Sequence, residues 1–163
     1  MSHKNSFKTF NPLKNIFNKQ QYSSDTIEEI ERKLEWVNEA AEILSQTPIE
    51  KISNLLKEIK SELVNNKAAI CSLYCAESGL NEMRFQAEFN RTLTQLDHFS
   101  NYIMSPDWGN ISDYTESTND KIFQKKKIPI GPILVMGASN FPLAFSTIGG
   151  DSVAALAAKC PVI

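Results

Sequence analysis

The chain has 163 residues, 42% of them hydrophobic and 22% charged, with a net charge of −2 at neutral pH. Mixed signs at that balance offer no field suited to nucleic acid or an anionic membrane, and no apolar run approaches the ~20 residues that a membrane helix needs. Three cysteines without a CxxC pair argue against a disulfide framework and a zinc site, which with the polar stretch Met1–Lys8 leads us to expect a reducing, cytoplasmic setting and no metal.

In chain order, Phe7–Phe10, the turn Asn11-Pro12-Leu13-Lys14-Asn15 and Ile16-Phe17 predict a short hairpin. A first helix is expected from near Ser24, because Asp25/Glu28 and Thr26/Glu29 both have capping-box spacing. Its apolar residues Ile27, Ile30, Leu34, Val37, Ala41 and Leu44 keep a helical period. Thr47-Pro48 marks a stop and a new start, and Ile52, Leu55, Leu56, Ile59 and Leu63 predict a second amphipathic helix. A third is expected over Lys67–Ser78, ended by Gly79 in a left-handed cap. A fourth, from about Asn81 to Met104, sets Phe85, Phe89, Leu93, Leu96, Phe99 and Ile103 on one side.

Residues 105–120 are rich in Ser, Thr, Asp, Asn and Gly and read as a loop, followed by a weak strand over Lys121–Ile128. The apolar run Ile133–Met136 lacks polar alternation and predicts a strand buried on both faces, as in a parallel sheet. Small residues Gly137-Ala138-Ser139-Asn140 then turn the chain, Phe141-Pro142 open a helix running through Leu156 and Ala157, and Pro161-Val162-Ile163 begin a second buried strand. The expected fold class is therefore α/β, a hairpin and helices leading into a strand–helix–strand unit of a parallel sheet. Val135, Phe141, Leu143, Phe145, Val153, Leu156, Val162 and Ile163 are expected to need further strands as cover. The last strand stops at Ile163, so we expect a truncated sheet.

Candidate chemistry is sparse. Cys71 and Cys75, spaced i,i+4 on a helix, and Cys160, with no base nearby, read as packing residues. His98 reads as an ordinary helix residue, and Lys125-Lys126-Lys127 as a solvated edge. Glu77, Glu82, Arg84, Glu88 and Arg91 around Gly79 read as solvent-screened helix ion pairs. Asn140 supports two readings. Its side-chain oxygen can cap a helix N-terminus, or its amide can donate to an oxyanion developing on a reacting carbonyl at the end of a parallel strand.

The run Gly137-Ala138-Ser139-Asn140-Phe141-Pro142, after Pro129-Ile130-Gly131-Pro132, resembles the NAD(P)-dependent aldehyde dehydrogenase superfamily. Its continuation Phe145-Ser146-Thr147-Ile148-Gly149-Gly150-Asp151-Ser152 is most similar to the branch of α-ketoglutarate-semialdehyde and NADP-dependent fatty aldehyde dehydrogenases. Thr9-Phe10-Asn11-Pro12, Ala76–Leu80, Arg84, Arg91-Thr92 and Gln95 extend the likeness over nearly the whole chain. The resemblance implies the N-terminal portion of a Rossmann-like cofactor-binding domain over residues 1–163, with 105–128 in an oligomerisation arm and a homo-oligomer as the complete assembly. It implies Asn140 as the catalytic oxyanion donor, Met136, Gly137, Ala138 and Ser139 beside the nicotinamide of NAD or NADP, and an aldehyde as substrate. The thiol nucleophile, glutamate base and glycine-bearing cofactor segment it implies would lie past Ile163, so the chain alone is expected to be inactive. Lys159 stands where that branch has glycine, and a left-handed cap there costs about 1 kcal/mol. A rival expectation, from a different class, is a non-enzymatic helical interaction module.

Overall fold

The computed structural model describes residues 4–109, 116–118, 121–123 and 127–163. The chain opens with the hairpin β1 (Ser6–Asn11) and β2 (Ile16–Ser23), antiparallel from Ser6 opposite Ser23 to Asn11 opposite Ile16, with a register shift between Lys8 and Phe10. Its turn closes because the Asn11 side-chain oxygen accepts the N–H groups of Leu13 and Lys14 at 3.1 and 3.0 Å. The hairpin lies on the third helix through one acid. Glu77 Oε1 accepts the hydroxyls of Thr9 and Tyr22, both at 3.0 Å, while the Asn18 amide donates to the Ala76 carbonyl.

Helix α1 spans Ile27–Gln46 and starts in the Thr26/Glu29 capping box. Its first turns sit apart from the core, since Ile27, Ile30 and Leu34 are exposed and Val37 is its buried residue. Helices α2 (Ile49–Asn65), α3 (Lys67–Ser78) and α4 (Glu82–Tyr102) follow where their apolar periods place them. Gly79 ends α3 at φ +71°, and Asn81 caps α4 by accepting from Arg84 N–H. A short helix α5 (Pro106–Gly109) and the strand β3 (Glu116–Thr118) occupy part of the stretch expected to be loop, and β3 pairs with β4 (Lys121–Phe123), which lies at the start of the strand expected over Lys121–Ile128. Polar composition hid β3. The lysines at 125 and 126 lie outside the described residues, and Lys127 is exposed.

Two apolar clusters make the core. Ile52 and Leu56 of α2 and Leu96 and Ile103 at α4 meet Val153 and Ala157 of helix α6 (Gly150–Ala157). Each of the Ile, Leu and Val side chains, taken fully out of water, contributes about 1.5–3 kcal/mol. Tyr74 of α3, Phe85 and Phe89 of α4 and Leu143 form the second cluster, with ring centroids 5.3–5.4 Å apart. Thus Leu143 and Val153, expected to await strands from elsewhere, are buried by this chain's own helices.

Three expectations for the C-terminal third need correction. The helix does not begin at Phe141-Pro142. Residues 139–148 form successive turns and α6 starts at Gly150, with Gly149 as its cap. A Cβ on Gly149 would stand 2.4 Å from the Ala144 carbonyl oxygen, so the backbone doubles back too tightly for a side chain there. Second, Ile133–Met136 is not buried on both faces: Leu134 and Met136 are 68% and 82% exposed, and Ile133 and Val135 are half-buried. Third, no parallel sheet is assembled among the described residues. One parallel bridge joins Ile133 to Val162, carried by Ile133 N–H to Pro161 O, Ile163 N–H to Ile133 O and Val135 N–H to Ile163 O at 2.9–3.0 Å. With a partner on one side only, the outward side chains have no second layer to meet. The fold is a mixed helical assembly with two small antiparallel pairs.

Candidate active site

The turn that carries Asn140 is a closed loop. Ala138 N–H donates to the Phe145 carbonyl at 2.7 Å, and Phe145 N–H donates to the Phe141 carbonyl at 3.1 Å. The rings of Phe141 and Phe145 meet edge to face with centroids 5.4 Å apart. Asn140 itself is exposed and its side chain has no hydrogen-bond partner among the described residues. The helix-capping reading of Asn140 is therefore set aside, because helix α6 begins well downstream and Gly149 occupies its cap. Met136, Gly137 and Ser139 are exposed and Ala138 half-exposed, leaving small residues bare along one strip of backbone.

What holds this loop is Glu88, read from sequence as one of several solvent-screened charges. It is 2% exposed. Its Oε1 accepts the Tyr74 hydroxyl at 2.8 Å and Arg84 Nε–H at 2.9 Å, and its Oε2 accepts the N–H groups of Leu143 and Ala144, each at 3.1 Å. Burial pushes the Glu88 pKa up, but the backbone donors, Tyr74 and Arg84 outweigh it and the net direction is down. Burial, together with the bond to Glu88, raises the pKa of Tyr74 and keeps its proton. Arg84 then reaches past Glu88, donating from a terminal nitrogen to the Asn140 carbonyl at 3.1 Å and stacking over the Phe141 ring at 4.1 Å. Arg91 stacks likewise over Phe145 at 4.7 Å.

The signal for Glu88 was available in the helical phase. Phe85, Glu88, Phe89, Thr92 and Leu96 share α4's buried stripe, so an acid in that phase has to find donors in the core. The donors come from residues 143–144, which no local pattern points to.

The other candidates stay outside this arrangement. Cys160 is buried, as a packing residue would be, whereas Cys71 and Cys75 are only half-buried on α3. Burial raises the Cys75 thiol pKa, helped by the neighbouring Cys71. Among the described residues no cluster of metal-binding side chains occurs. His98 is exposed and stacks on Tyr102. A wide cleft of about 1020 Å³, bounded by α1, Trp108, Lys127 and Lys159, is not lined by Asn140. Among the described residues no helix is long and apolar enough to cross a membrane.

Residues 1–163 match the aldehyde dehydrogenase family along their whole length. The chain belongs to that family. Two curated members share 33% and 35% identity with it, the alpha-ketoglutaric semialdehyde dehydrogenase of Acinetobacter baylyi and alpha-ketoglutaric semialdehyde dehydrogenase 2 of Azospirillum brasilense. The matches cover 87% and 83% of this chain but 28% and 27% of those proteins, so the chain spans under a third of their length. In three dimensions it is similar to glyceraldehyde-3-phosphate dehydrogenase of Methanocaldococcus jannaschii, solved with NADP, with a TM-score of 0.80 at 16% identity over 99% of this chain and 34% of that one. That likeness establishes the aldehyde dehydrogenase fold. It also leaves the helical interaction module without support, since the four helices are this family's own N-terminal part.

Proposed function

We propose that these residues serve the NAD(P)-dependent oxidation of an aldehyde to a carboxylate, with Asn140 as the oxyanion donor. The observation that carries this reading is an exposed, unpartnered Asn140 amide on a loop whose backbone is clamped by a buried carboxylate. Such a donor is ready before the carbonyl arrives, and a preorganised amide stabilises developing negative charge without reorganising. The parallel bridge between Ile133 and Val162 supports the start of a parallel, Rossmann-like cofactor sheet, with Asn140 beyond the end of its first strand.

The bare strip Met136–Ser139 fits close approach by a flat ring, because Gly137 and Ala138 present little or no side chain. Bound there, a nicotinamide would supply the hydride acceptor. The thiolate and general base come from segments other than these 163 residues, and the chain by itself is inactive. Cys160 is buried and the Cys75 thiol is held protonated, which suits neither to attack. Residues 105–128 belong to an oligomerisation arm of a cytoplasmic homo-oligomer, a role supported by the paired strands β3 and β4.

The test replaces the matching segment of a curated relative with residues 1–163 and follows NAD(P)H formation from an aldehyde. The graft is expected to turn over, and Asn140→Ala within it to lower kcat by about 10²–10³-fold. Unchanged kcat in that variant removes Asn140 from catalysis.

A further inference from the structure

We propose that Cys71 and Cys75 form a dithiol site for trivalent arsenic, the two sulfurs holding it as a bridge across one turn of helix α3. The site is independent of Asn140 and of aldehyde oxidation.

Spacing makes the pair. Residues four apart on a helix lie one above the other on the same face, so both thiols project to one side of α3. They are half-buried at the margin of the cluster of Tyr74, Phe85 and Phe89. Both also line a cleft of about 520 Å³ between α3, the hairpin turn at Asn11, Leu13 and Lys14, and Glu82 at the start of α4. Packing alone needs no route to solvent. Cys160, which is buried, has the surroundings of a packing thiol; this pair opens to a cleft.

Geometry disfavours the simpler bond. A disulfide needs its Cβ atoms about 3.5–4.5 Å apart, whereas neighbours four apart on a helix hold them at about 5–6 Å. Direct oxidation would therefore unwind α3, which runs as helix to its left-handed cap at Gly79. One interposed atom lengthens the bridge by a bond and closes the gap with the helix intact. That atom has to be soft, to suit sulfur, and has to be satisfied with two sulfurs. Zinc wants four ligands, and among the described residues no group of three or more metal-binding side chains occurs. Trivalent arsenic meets both conditions, its third valence being taken by an organic group or a hydroxide.

The protonation state suits the reaction. Burial raises the Cys75 pKa and the neighbouring Cys71 raises it further, so Cys75 is a thiol at neutral pH. An organoarsenic oxide, R–As=O, condenses with two S–H groups. Two As–S bonds form, the two protons leave with the oxygen as one water, and arsenic stays trivalent without any oxidant or reductant. Because the second bond closes within one chain, the pair binds about 10²–10⁴-fold more tightly than a single thiol. The bridge also pins the turn that seats the hairpin, where the Ala76 carbonyl accepts from Asn18 at 3.2 Å and Glu77 from Thr9 and Tyr22.

The experiment adds phenylarsine oxide to the reduced 163-residue chain. Free thiols are titrated, bound arsenic is weighed by intact-protein mass spectrometry, and the melting temperature is read. One equivalent is expected to bind with loss of two of the three thiols and a rise in melting temperature. An added 1,2-dithiol should strip the arsenic, and the same concentration of a monothiol should not. Cys160→Ser is expected to bind as the parent does, and Cys71→Ser or Cys75→Ser about 10²–10⁴-fold more weakly. Alkylation followed by peptide mapping of the unsubstituted chain locates the bridge without any variant, with Cys160 alkylated and Cys71 and Cys75 protected. No uptake, protection of Cys160, release by the monothiol, or equal affinity in folded Cys75→Ser overturns the proposal.

Discussion

At the scale of residues, Glu88 decides the geometry of the site. A carboxylate taken out of water is unfavourable unless each oxygen is satisfied, and here side-chain donors serve one oxygen and backbone donors the other. Replacing it by glutamine leaves an N–H₂ where an acceptor stood, against two backbone N–H groups. Glu88→Gln is expected to cost about 2–3 kcal/mol in urea unfolding, read at neutral pH. The pH dependence has a definite sign. Because the folded-state pKa of Glu88 lies below its ordinary value, its contribution is complete above the usual carboxylate range near ~4.3 and is lost as the pH falls through the lower folded value. The variant should show a shallower loss of stability on that acid limb. An unaltered limb would mean that Glu88 is not the group responsible. The sequence misread this residue because a Glu–Arg pair three apart, Glu88 with Arg91, looks alike on a wet surface and in a core, whereas the structure pairs Glu88 with Arg84. Only the phase of its neighbours separates the two settings.

At the scale of elements, most helix boundaries follow from local chemistry. Thr26 with Glu29 starts α1, Asn81 starts α4 and Gly79 stops α3, where the capping rules place them. Helix α6 shows both the strength and the limit of such rules. Its end is a Schellman turn in which Lys159 N–H donates to Leu156 O and Cys160 N–H to Ala155 O. That turn requires a left-handed residue, and Lys159 supplies it at φ 60°. The expected strain is therefore present, and Lys159→Gly should stabilise the chain by about 1 kcal/mol. A rise in melting temperature of about 2–4 °C is the measurement, and no rise would mean that the lysine gains elsewhere what its backbone loses. The start of α6 was misplaced because Phe141-Pro142 carries a sound helix-opening signal. Glu88 instead engages the N–H groups that follow, and the clash a Cβ on Gly149 would have with Ala144 marks how sharply the chain folds back.

On the scale of the molecule, separate layers are joined at a few points. The hairpin β1–β2 meets the helices where Pro12 lies against Gly79 and where Glu77 gathers Thr9 and Tyr22. A Cβ on Gly79 would stand 2.4 Å from Pro12 Cγ at a backbone angle that side chains resist. Gly79→Ala is thus expected to cost about 1–3 kcal/mol and to raise amide exchange across β1 and β2 before the α2–α4 core loosens. Uniform exchange would show hairpin and helices unfolding as one unit. The C-terminal segment joins the helices more firmly, through Val153, Ala157 and Leu143, while Ile128, Ile130, Leu134 and Met136 remain exposed.

The amino-acid order by itself determined the caps, the helix periods, the Asn140 turn and the family, because each rests on neighbours close in sequence or on a contiguous run of residue types. It did not contain the pairing of Glu88 with residues 143–144, the reach of Arg84 to Asn140, or the burial of Leu143 and Val153 by α2–α4. Those contacts join segments tens of residues apart, and only packing decides which donor a buried acid finds and which apolar face is covered. The tertiary structure therefore turned an ordinary helix charge pair into the clamp beneath the candidate site.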